Sequence, residues 1–382
     1  MGKRQLLGRL SAAFLIHKAM RIGLLVYGDM DTVSGGYLYN RKLVSYLRSQ
    51  GDQVEIISLP PRGYWRHLVD NFSNACLRQI AAANIDLLIQ DAMVHPSVFL
   101  LNRRLGRQLG IPVVSLVHLL TSFDHHLSYS TRFYRAIERR YLESVTGIIA
   151  NSQTTLTHTR ELLQDNLPPH CVAVPAGDNF PEASMDFDAI RQRATTPGPL
   201  RILVVGNVIR RKGLHVLIHA LRQLPAGDFQ VTVAGRLDME LRYVDQILKL
   251  IRSSRQRERI TLLGPLQGQA LANLYQQHHL MVLPSAYESY GIVYVEAQQF
   301  GLPVIGTTAG AAKEIISHGD NGYLIAPEDD TALAGYLRDL HDDRQLLLRL
   351  SRNAQESFAR HPNWDQSCEI IRQYLYARLN IG

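Results

Sequence analysis

The chain has 382 residues, of which 46% are hydrophobic and 20% charged. This is the length of two globular domains, and the composition is that of a soluble globular protein with a sizeable core. Forty-one Lys and Arg against 34 Asp and Glu give a formal net charge of +7, which favours anionic ligands or lipid head groups but does not by itself predict nucleic-acid binding. Cys76, Cys171 and Cys368 are far apart, which excludes a disulfide scaffold or a thiolate zinc site and predicts a reducing, cytoplasmic compartment.

Residues 1–19 are predicted to be a basic extension that precedes the fold. Their apolar side chains fall on one helical face with basic residues around them, and Arg9 interrupts the apolar run that a signal peptide needs. Two interpretations stay open: a flexible extension ahead of a start at Met20, or a basic amphipathic helix that lies on a membrane surface. No run reaches the roughly 20 apolar residues of a membrane-spanning helix.

Residues 20–182 are predicted to form a first domain in which short apolar strands alternate with amphipathic helices. Its strands are predicted at 22–27, 54–58, 86–89, 113–117, 147–150 and 172–174, with helices at 37–49, 73–83, 97–109, 131–144 and 153–164. The alternation stops between Phe180 and Leu200, a stretch with three prolines and no strand pattern. We therefore predict that 183–199 form the inter-domain linker.

The alternation starts again in a second domain, predicted at 200–361. Its strands are predicted at 201–205, 229–234, 260–263, 280–283, 303–306 and 322–325, with helices near 213–223, 240–254, 268–276, 291–300 and 311–317. Three more helices follow, the last from about Trp364 to Leu379. The pattern predicts two doubly wound α/β domains with parallel sheets, and a ligand in the cleft at the carboxyl ends of their strands.

The most informative segment is 284–310, PSAYESYGIVYVEAQQFGLPVIGTTAG. Glu288 lies in the loop after a predicted strand, and Glu296 lies on the helix that follows. The backbone N–H groups of Ser289, Tyr290 and Gly291 then lie at a helix N-terminus, where they favour an anion. One carboxylate beside the loop and one further along the helix can accept hydrogen bonds from two different polyols bound around that anion. The alternative is a helix with an acidic first turn and an incidental second glutamate.

A cationic turn follows the first strand of the second domain. Gly206 closes the strand, and Arg210, Arg211 and Lys212 precede Gly213, which opens a helix. Cations at such a turn can neutralise a diphosphate in the cleft. The segment matches neither a Walker A loop nor a dinucleotide fingerprint, and a solvated basic turn is an equal alternative.

In the first domain, Gly35 and Gly36 after the first strand allow backbone amides to approach a ligand closely. His118 follows a predicted strand at the edge of the cleft, where a structural cap is the alternative. We interpret Asp29-Met30-Asp31 as an ordinary loop and predict no metal site. The pairs His125-His126 and His278-His279 lack metal-ligand spacing and are predicted to lie on the surface or in loops.

Together these motifs resemble the retaining GT-B glycosyltransferases of family 4 over nearly the whole chain. The segments that carry the resemblance are Gly35-Gly36, His118, Ala150-Asn151-Ser152, Pro175-Ala176-Gly177-Asp178, Arg210-Arg211-Lys212-Gly213 and the pair Glu288 and Glu296. The resemblance implies two Rossmann-like domains facing across a cleft, with a final helix (362–382) that crosses back to the first domain. It also implies a nucleotide-diphosphate sugar as co-substrate, held mainly by the second domain, with no cofactor and no metal.

The resemblance also implies a role for each matching residue. Lys212 would bind the donor diphosphate, Glu288 the hydroxyls of the donor sugar and Glu296 those of the ribose. The amides of Ser289, Tyr290, Gly291 and Ile292 would bind the distal phosphate. Gly35 and Gly36 would approach the diphosphate from the first domain, His118 would lie beside the donor sugar, and the base would lie near 264–266.

The sequence departs from the family at one charged position. The family usually has Arg after the glycine that ends the strand, and here that residue is Asn207, an uncharged amide that supplies no counter-charge to the leaving group. Arg210 or Arg211 would compensate, and we favour Arg211. The family's Pro-Asn-Gly also reads Pro-Ala-Gly at 175–177.

The resulting prediction is a retaining, metal-independent hexosyltransferase. It would use a UDP- or GDP-hexose and a hydroxyl acceptor on a glycan, a glycolipid or a small metabolite. No carboxylate stands out as a nucleophile for double displacement, so a front-face reaction is predicted. The alternative is a catalytically weak GT-B protein that binds a nucleotide sugar and serves a partner enzyme, an interpretation that rests on Asn207.

The acceptor is left open by the sequence. The segment 60–71 is predicted to be a loop on the acceptor side, and it mixes Tyr64 and Trp65 with Arg62 and Arg66. Its aromatic rings would stack on a sugar or on a lipid head group, and an ordinary surface loop is the alternative. We expect no nucleic-acid partner, because the basic residues are scattered, and we expect a cytoplasmic protein with peripheral membrane contact as an option.

Overall fold

The computed structural model describes residues 19–123, 131–164, 166–183, 185–253 and 258–379. The predicted extension, apart from Ala19, and the pair His125-His126 lie outside the described residues. Within them the chain forms two parallel six-stranded sheets, each flanked by helices. The predicted fold of two Rossmann-like α/β domains is therefore confirmed.

The four inner strands of the first sheet are short apolar runs buried on both faces, as parallel strands between helices are, while the two edge strands are partly exposed. Its strands are β1 (Arg21–Tyr27), β2 (Gln53–Leu59), β3 (Leu87–Asp91), β4 (Val113–Val117), β5 (Gly147–Ala150) and β6 (His170–Val172). They lie in the order β2-β1-β3-β4-β5-β6, all parallel. The carboxyl ends of all six strands therefore lie along one edge.

Within the described ranges, the helices of residues 19–164 connect these strands or cover the sheet. They are α1 (Gly35–Ser49), α2 (Tyr64–Asp70), α3 (Asn74–Ala82), α4 (His95–Val98), α5 (Leu101–Leu109), α6 (Thr131–Leu142) and α7 (Gln153–Leu163). Ser34 and Ser152 cap α1 and α7 by accepting from backbone N–H groups of the first turn. The prediction of a loop over 60–71 is wrong for 64–70, because α2 forms there, with the His67 ring stacked on Tyr27 at the end of β1.

The second domain repeats the arrangement. Its strands are β7 (Leu200–Val205), β8 (Phe229–Ala234), β9 (Ile260–Gly264), β10 (Leu280–Val282), β11 (Val304–Thr307) and β12 (Gly322–Ile325), in the order β12-β11-β10-β7-β8-β9. Its helices are α8 (Phe187–Thr195), α9 (Leu214–Arg222), α10 (Leu241–Ser253), α11 (Gly268–Gln277), α12 (Ile292–Gln299), α13 (Asp330–Asp342) and α14 (Arg344–Arg360). The helix predicted at 311–317 is a short 3₁₀ turn over Ala311–Glu314.

The predicted linker 183–199 contains a helix that belongs to the second domain. Asp186 caps α8 by accepting from the Ala189 N–H, and Ile190 and Ala194 are buried. Arg193 is also buried, and its guanidinium donates to the carbonyls of Phe300 and Gly301 at 2.9 Å each. The flanking prolines and the polar sequence did not indicate a helix, because the stability of α8 comes from these distant contacts.

The final helix, α15 (Trp364–Leu379), returns to the first domain. Trp364, Cys368, Ile371 and Leu375 join the apolar cluster around β1 and α1. Arg372 Nε donates to the buried Asp52 carboxylate at 2.8 Å, which fixes the helix to the loop before β2.

Candidate active site

The cationic turn and the loop after β10 are in direct contact. Gly213 ends the turn at φ +69°, and a Cβ at that position would lie 2.0 Å from the carbonyl oxygen of Pro284. Only glycine allows this approach. The Ala286 N–H donates to the Arg211 carbonyl at 2.8 Å, so the two segments that the sequence analysis singled out form one surface.

Lys212 and Glu288 form an ion pair at the centre of this surface. Lys212 Nζ lies 2.6 Å from Glu288 Oε1, and Arg211 Nη1 lies 3.8 Å from the same oxygen. Burial alone would raise the pKa of Glu288, but the charges of Lys212 and Arg211 hold that pKa below its usual value. Burial lowers the pKa of Lys212. The pair therefore places one carboxylate among two cations in a largely dry pocket.

The two arginines of the turn and Asn207 contact different neighbours. Arg211 Nη1 donates to the Tyr287 carbonyl at 2.9 Å, which holds its guanidinium beside Glu288. Arg210 is exposed, and its backbone N–H donates to Glu240 at 3.0 Å. Asn207 Oδ1 accepts from the Arg236 N–H at 3.3 Å. Of the two arginines considered as substitutes for the missing charge at 207, the structure brings Arg211 to the site.

Gly291 starts α12 with φ +102°, a conformation suited to glycine. Within the part of the chain that the structure describes, the N–H groups of residues 289–292 have no acceptor, as expected where a helix begins. The Tyr290 side chain points away into a buried contact with His361 Nε2 at 2.6 Å. The residue therefore offers the site its backbone only.

Glu296 lies inside the protein with both oxygens engaged. Oε1 accepts from Asn179 Nδ2 at 2.7 Å and Oε2 from the Tyr275 hydroxyl at 2.9 Å. Burial raises the pKa of Glu296, and the two hydrogen bonds oppose that rise. Asn179 Oδ1 in turn accepts from Trp364 Nε1 at 2.9 Å. A carboxylate has about four acceptor positions, so further hydroxyl groups can still bind.

His118 faces the site from the end of β4, against the glycine pair at the start of α1. A Cβ on Gly36 would lie 3.4 Å from His118 Cδ2, and one on Gly35 would lie 3.5 Å from Ile292 Cδ1 of the other domain. His118 Nε2 lies 3.0 Å from Asn40 Oδ1, while Asn40 Nδ2 donates to Asp91 at 2.8 Å. This chain makes Nε2 the protonated nitrogen. Burial lowers the pKa of His118, so the neutral ring is favoured.

Hydrogen bonds between the domains close the site on one side. Ser152 Oγ donates to the Ser289 carbonyl at 3.0 Å. The Glu314 carboxylate accepts from the N–H groups of Gln153 and Thr154, at 2.9 and 2.7 Å, at the N-terminus of α7. In each sheet the parallel arrangement places the carboxyl ends of the strands along one edge. The hydrogen bonds of Ser152 and Glu314 join the edge of the first sheet to that of the second.

Several residues of the site were missed by the sequence analysis. Asn40, Asp91, Asn179, Tyr275 and Glu314 each hold a predicted residue or join the domains. Asn179 could have been identified from the sequence, because it directly follows the Pro-Ala-Gly-Asp motif. The others lie on elements with no motif of their own.

His278 and His279 were predicted to lie on the surface or in loops. They lie in the loop between α11 and β10, but both are buried. His278 bonds to the Leu274 carbonyl and to Thr232, and His279 Nδ1 accepts from the Arg201 N–H at 2.8 Å. Burial lowers the pKa of His278 to about 4 and that of His279 to about 3. They are structural residues at the start of β10.

The described residues contain no group of three or more His, Cys, Asp or Glu arranged to hold a metal ion. No helix among them has the length and apolarity needed to cross a membrane.

Two Rossmann-like domains that meet at their strand ends, with a cationic turn against a helix N-terminus, define a protein of the GT-B class. Residues 33–177 match the family model described as Glycosyltransferase Family 4, and residues 186–357 match the model described as Glycosyl transferases group 1. Together the two matches span most of the chain, which belongs to the GT-B glycosyltransferases of family 4, so the family and fold inferred from the motifs are confirmed.

Curated relatives match over part of their length. A D-inositol 3-phosphate glycosyltransferase of Pseudarthrobacter chlorophenolicus is 26% identical over 282 residues, which are 71% of this chain and 66% of the relative. A glycogen synthase of Mycobacterium tuberculosis is 27% identical over 294 residues, 75% of this chain and 67% of the relative. An uncharacterized glycosyltransferase of Methanocaldococcus jannaschii is 30% identical over 47% of this chain and 46% of its own length. The chain therefore spans between about half and two thirds of these relatives.

Solved structures support the fold. The sucrose-phosphate synthase of Thermosynechococcus elongatus has a TM-score of 0.80 and 21% identity, and the alignment covers 94% of this chain and 99% of that one. HepE of Anabaena, solved in complex with UDP, has a TM-score of 0.74 and 21% identity over 94% of this chain and 100% of that one.

Proposed function

We propose that this chain moves a hexose from a UDP- or GDP-sugar to a hydroxyl acceptor, with retention of configuration and without a metal ion. The observation that supports this proposal most strongly is the contact between the Arg211–Lys212 turn and the loop that carries Glu288 and begins α12. Cations, free amides and a carboxylate within one pocket suit a ligand that is part diphosphate and part sugar.

The proposed chemistry is stabilisation of the leaving group. When the bond between the sugar C1 and the phosphate oxygen breaks, negative charge develops on the nucleoside diphosphate. Lys212, Arg211 and the amides of 289–292 stabilise that charge. The acceptor oxygen bonds to C1 on the face that the diphosphate leaves, and its proton passes to the departing phosphate oxygen. Each bond that breaks is matched by one that forms.

Glu288 and Glu296 have separate roles in this proposal. Once the diphosphate takes Lys212, the Glu288 carboxylate is free to accept hydrogen bonds from hydroxyls of the donor sugar. Glu296, held by Asn179 and Tyr275, accepts from the ribose hydroxyls. His118 lies beside the sugar, and Gly35 and Gly36 give the diphosphate close access to the first domain. The base rests near 264–266, at the end of β9.

Ligand-induced stabilisation tests donor binding. A nucleotide at 100 times its dissociation constant adds about 2.7 kcal/mol of stability, so UDP, GDP and ADP can be ranked by the rise in Tm. UDP is the first candidate, since HepE binds it in the solved complex. A rise with one nucleoside diphosphate that is lost in Lys212→Ala supports the site, and no rise with any of them contradicts it.

Product analysis tests the reaction. Each UDP- and GDP-hexose is incubated with a panel of glycan, glycolipid and small-metabolite acceptors, and NMR of the product reports the anomeric configuration. We expect retention, unchanged rates in EDTA and no covalent intermediate. A glycosyl-enzyme adduct in the mass spectrum would contradict the front-face reaction, and a loss of activity in EDTA would contradict metal independence.

The second candidate is a GT-B protein that binds nucleotide sugar with weak or no catalysis and serves a partner enzyme. Asn207 favours it, because one counter-charge to the leaving group is missing. Binding of a nucleoside diphosphate without product across the whole panel would support this candidate. Product at ordinary turnover rates would exclude it.

Membrane contact through residues 1–19 is a further part of the proposal, and it concerns residues that lie almost wholly outside the described part of the chain. Vesicle co-sedimentation with and without residues 1–19 tests it. Equal binding by the two forms would exclude a role for the extension.

A further inference from the structure

Four exposed apolar side chains form a patch on the first domain. Trp65, Val69, Phe72 and Phe133 are 61%, 67%, 75% and 36% exposed, and we call them the aromatic patch. Trp65 and Val69 lie four residues apart on one side of α2, and Phe72 lies in the turn that follows the helix, where its N–H donates to the Val69 carbonyl at 3.1 Å. The Phe133 ring of α6 lies 5.0 Å from the Trp65 ring. Large apolar groups that gather in this way mark an interaction surface.

The patch rests on a rigid base. Tyr64 packs between the two helices, with ring centroids 4.5 Å from Tyr134 and 6.5 Å from Phe133, and its hydroxyl bonds to His95 at 3.0 Å. Behind α2, the Ser97 hydroxyl bonds both to the Tyr27 hydroxyl and to the Asp70 carboxylate. The exposed rings are therefore held outward by buried contacts and do not fold back onto the protein.

Two arginines adjoin the patch residues: Arg66 follows Trp65 on α2, and Arg132 precedes Phe133 on α6. Both are exposed, and no carboxylate of the described residues forms an ion pair with either of them. Arg135 and Arg140 are also exposed on α6, and the Arg135 guanidinium lies 5.4 Å from the centre of the Phe123 ring. The nearby acidic groups are already used. Asp70 pairs with Arg62, Glu143 with Arg139, and the buried Glu138 accepts from the Ser122 N–H. The surface thus combines projecting rings with a net positive charge.

We propose that this face of α2 and α6 binds the surface of an anionic lipid bilayer. Tryptophan and phenylalanine enter the boundary between head groups and acyl chains, while arginines attract anionic head groups. Both helices follow carboxyl ends of strands in the first sheet, α2 after β2 and α6 after β4, the strand that His118 follows. The bilayer would then lie at the same edge of the sheet as the candidate active site. If the proposed transfer is correct, this assigns a membrane-borne acceptor.

Intrinsic fluorescence gives a direct test, because the chain has two tryptophans. Trp364 is buried and Trp65 is exposed, so a change on adding vesicles reports Trp65. The full chain is mixed with phosphatidylcholine vesicles, with or without an equal share of phosphatidylglycerol. We expect a blue shift and quenching by brominated acyl chains with the anionic vesicles, and loss of this signal in Trp65→Phe. An unchanged spectrum with anionic vesicles would overturn the proposal.

Sedimentation with the same vesicles measures the contribution of each group. A basic residue near an anionic membrane contributes about 1 kcal/mol, so Arg66→Gln and Arg132→Gln should each lower the partition coefficient about fivefold. Trp65→Ser with Phe133→Ser should lower it further, and added salt should weaken binding by the wild type. Leu241→Ser is the matched control, since Leu241 is 70% exposed on the second domain, and it should bind as the wild type does.

The remaining outcomes distinguish other occupants. Wild-type binding by the patch variants would assign vesicle binding to another part of the chain and overturn the proposal. If a soluble oligosaccharide changes the fluorescence of Trp65 and vesicles do not, the patch is an acceptor subsite, and this outcome would also overturn the proposal. The vesicle assays contain no nucleotide sugar, so their result is independent of whether the proposed glycosyl transfer is correct.

Discussion

Replacing Lys212 with alanine separates the charge that serves catalysis from the charge that serves folding. Loss of one contact to a developing anion lowers turnover by about 10²–10³-fold, and we expect Lys212→Ala to fall in that range. The rate of UDP or GDP release in a coupled assay measures it. A kcat within about threefold of the wild type would refute the stabilisation of the leaving group by this turn, since no contact of that kind is worth so little.

The same substitution leaves Glu288 without its near partner. Removing one member of a buried ion pair costs about 3–5 kcal/mol. The Lys212 side chain is 18% exposed, and Arg211 stays 3.8 Å from the carboxylate, so we expect about 2 kcal/mol, less than the full cost. In a domain of this size that lowers Tm by about 4–8 °C.

A second variant tells the two effects apart. Lys212→Met combined with Glu288→Gln removes both charges, so Tm should return close to the wild-type value while turnover stays low. Arg210→Ala is the matched control, since that side chain is exposed beside the same turn, and it should change neither quantity. Recovery of turnover in the double variant would show that Lys212 acts only on folding.

Three further predictions follow from the same contacts. Burial raises the pKa of Glu296, so its ionisation costs stability as pH rises from about 4. Glu296→Gln should therefore gain Tm at pH 7, lose that gain in acid and bind nucleotide more weakly, and an equal Tm at both pH values would contradict this. Arg211→Ala should weaken nucleotide binding, measured by titration calorimetry, and adding Asn207→Arg should restore the affinity. An unchanged affinity in Arg211→Ala would show that Arg211 makes no contact with the diphosphate. Glu314→Ala removes the carboxylate that accepts from the N-terminus of α7 across the domains, and it should lower the free energy of unfolding in urea by about 1 kcal/mol. An unchanged unfolding midpoint would show that this contact does not contribute to stability.

The alternation of strands and helices made the two-sheet fold predictable from sequence, because strands buried on both faces have a distinct apolar pattern. The same pattern placed the cationic turn and the loop of Glu288 each at the carboxyl end of a strand, and the structure shows that these strands, β7 and β10, are neighbours. Their contact through Gly213 and Pro284 depends on atomic fit, which a sequence pattern does not record.

Elements that depend on remote contacts were not predictable in this way. Helix α8 is held by Arg193 and the carbonyls of Phe300 and Gly301, more than 100 residues away in the chain. Helix α2 has no side-chain cap and depends on His67 stacking on Tyr27. Similarly, Asn179 contacts Glu296 of α12 and Trp364 of the final helix, both more than 100 residues away in the chain.

The ion pair between Lys212 and Glu288 affects which anions the site would bind. Inorganic phosphate or pyrophosphate would have to separate the two charges, and the buried Glu288 carboxylate would then keep Arg211, 3.8 Å away, in place of its near partner. A molecule that brings hydroxyl groups together with its phosphates satisfies both ends of the broken bond at once. Discrimination against the abundant small anions of a cell would thus arise from a contact formed before any substrate arrives.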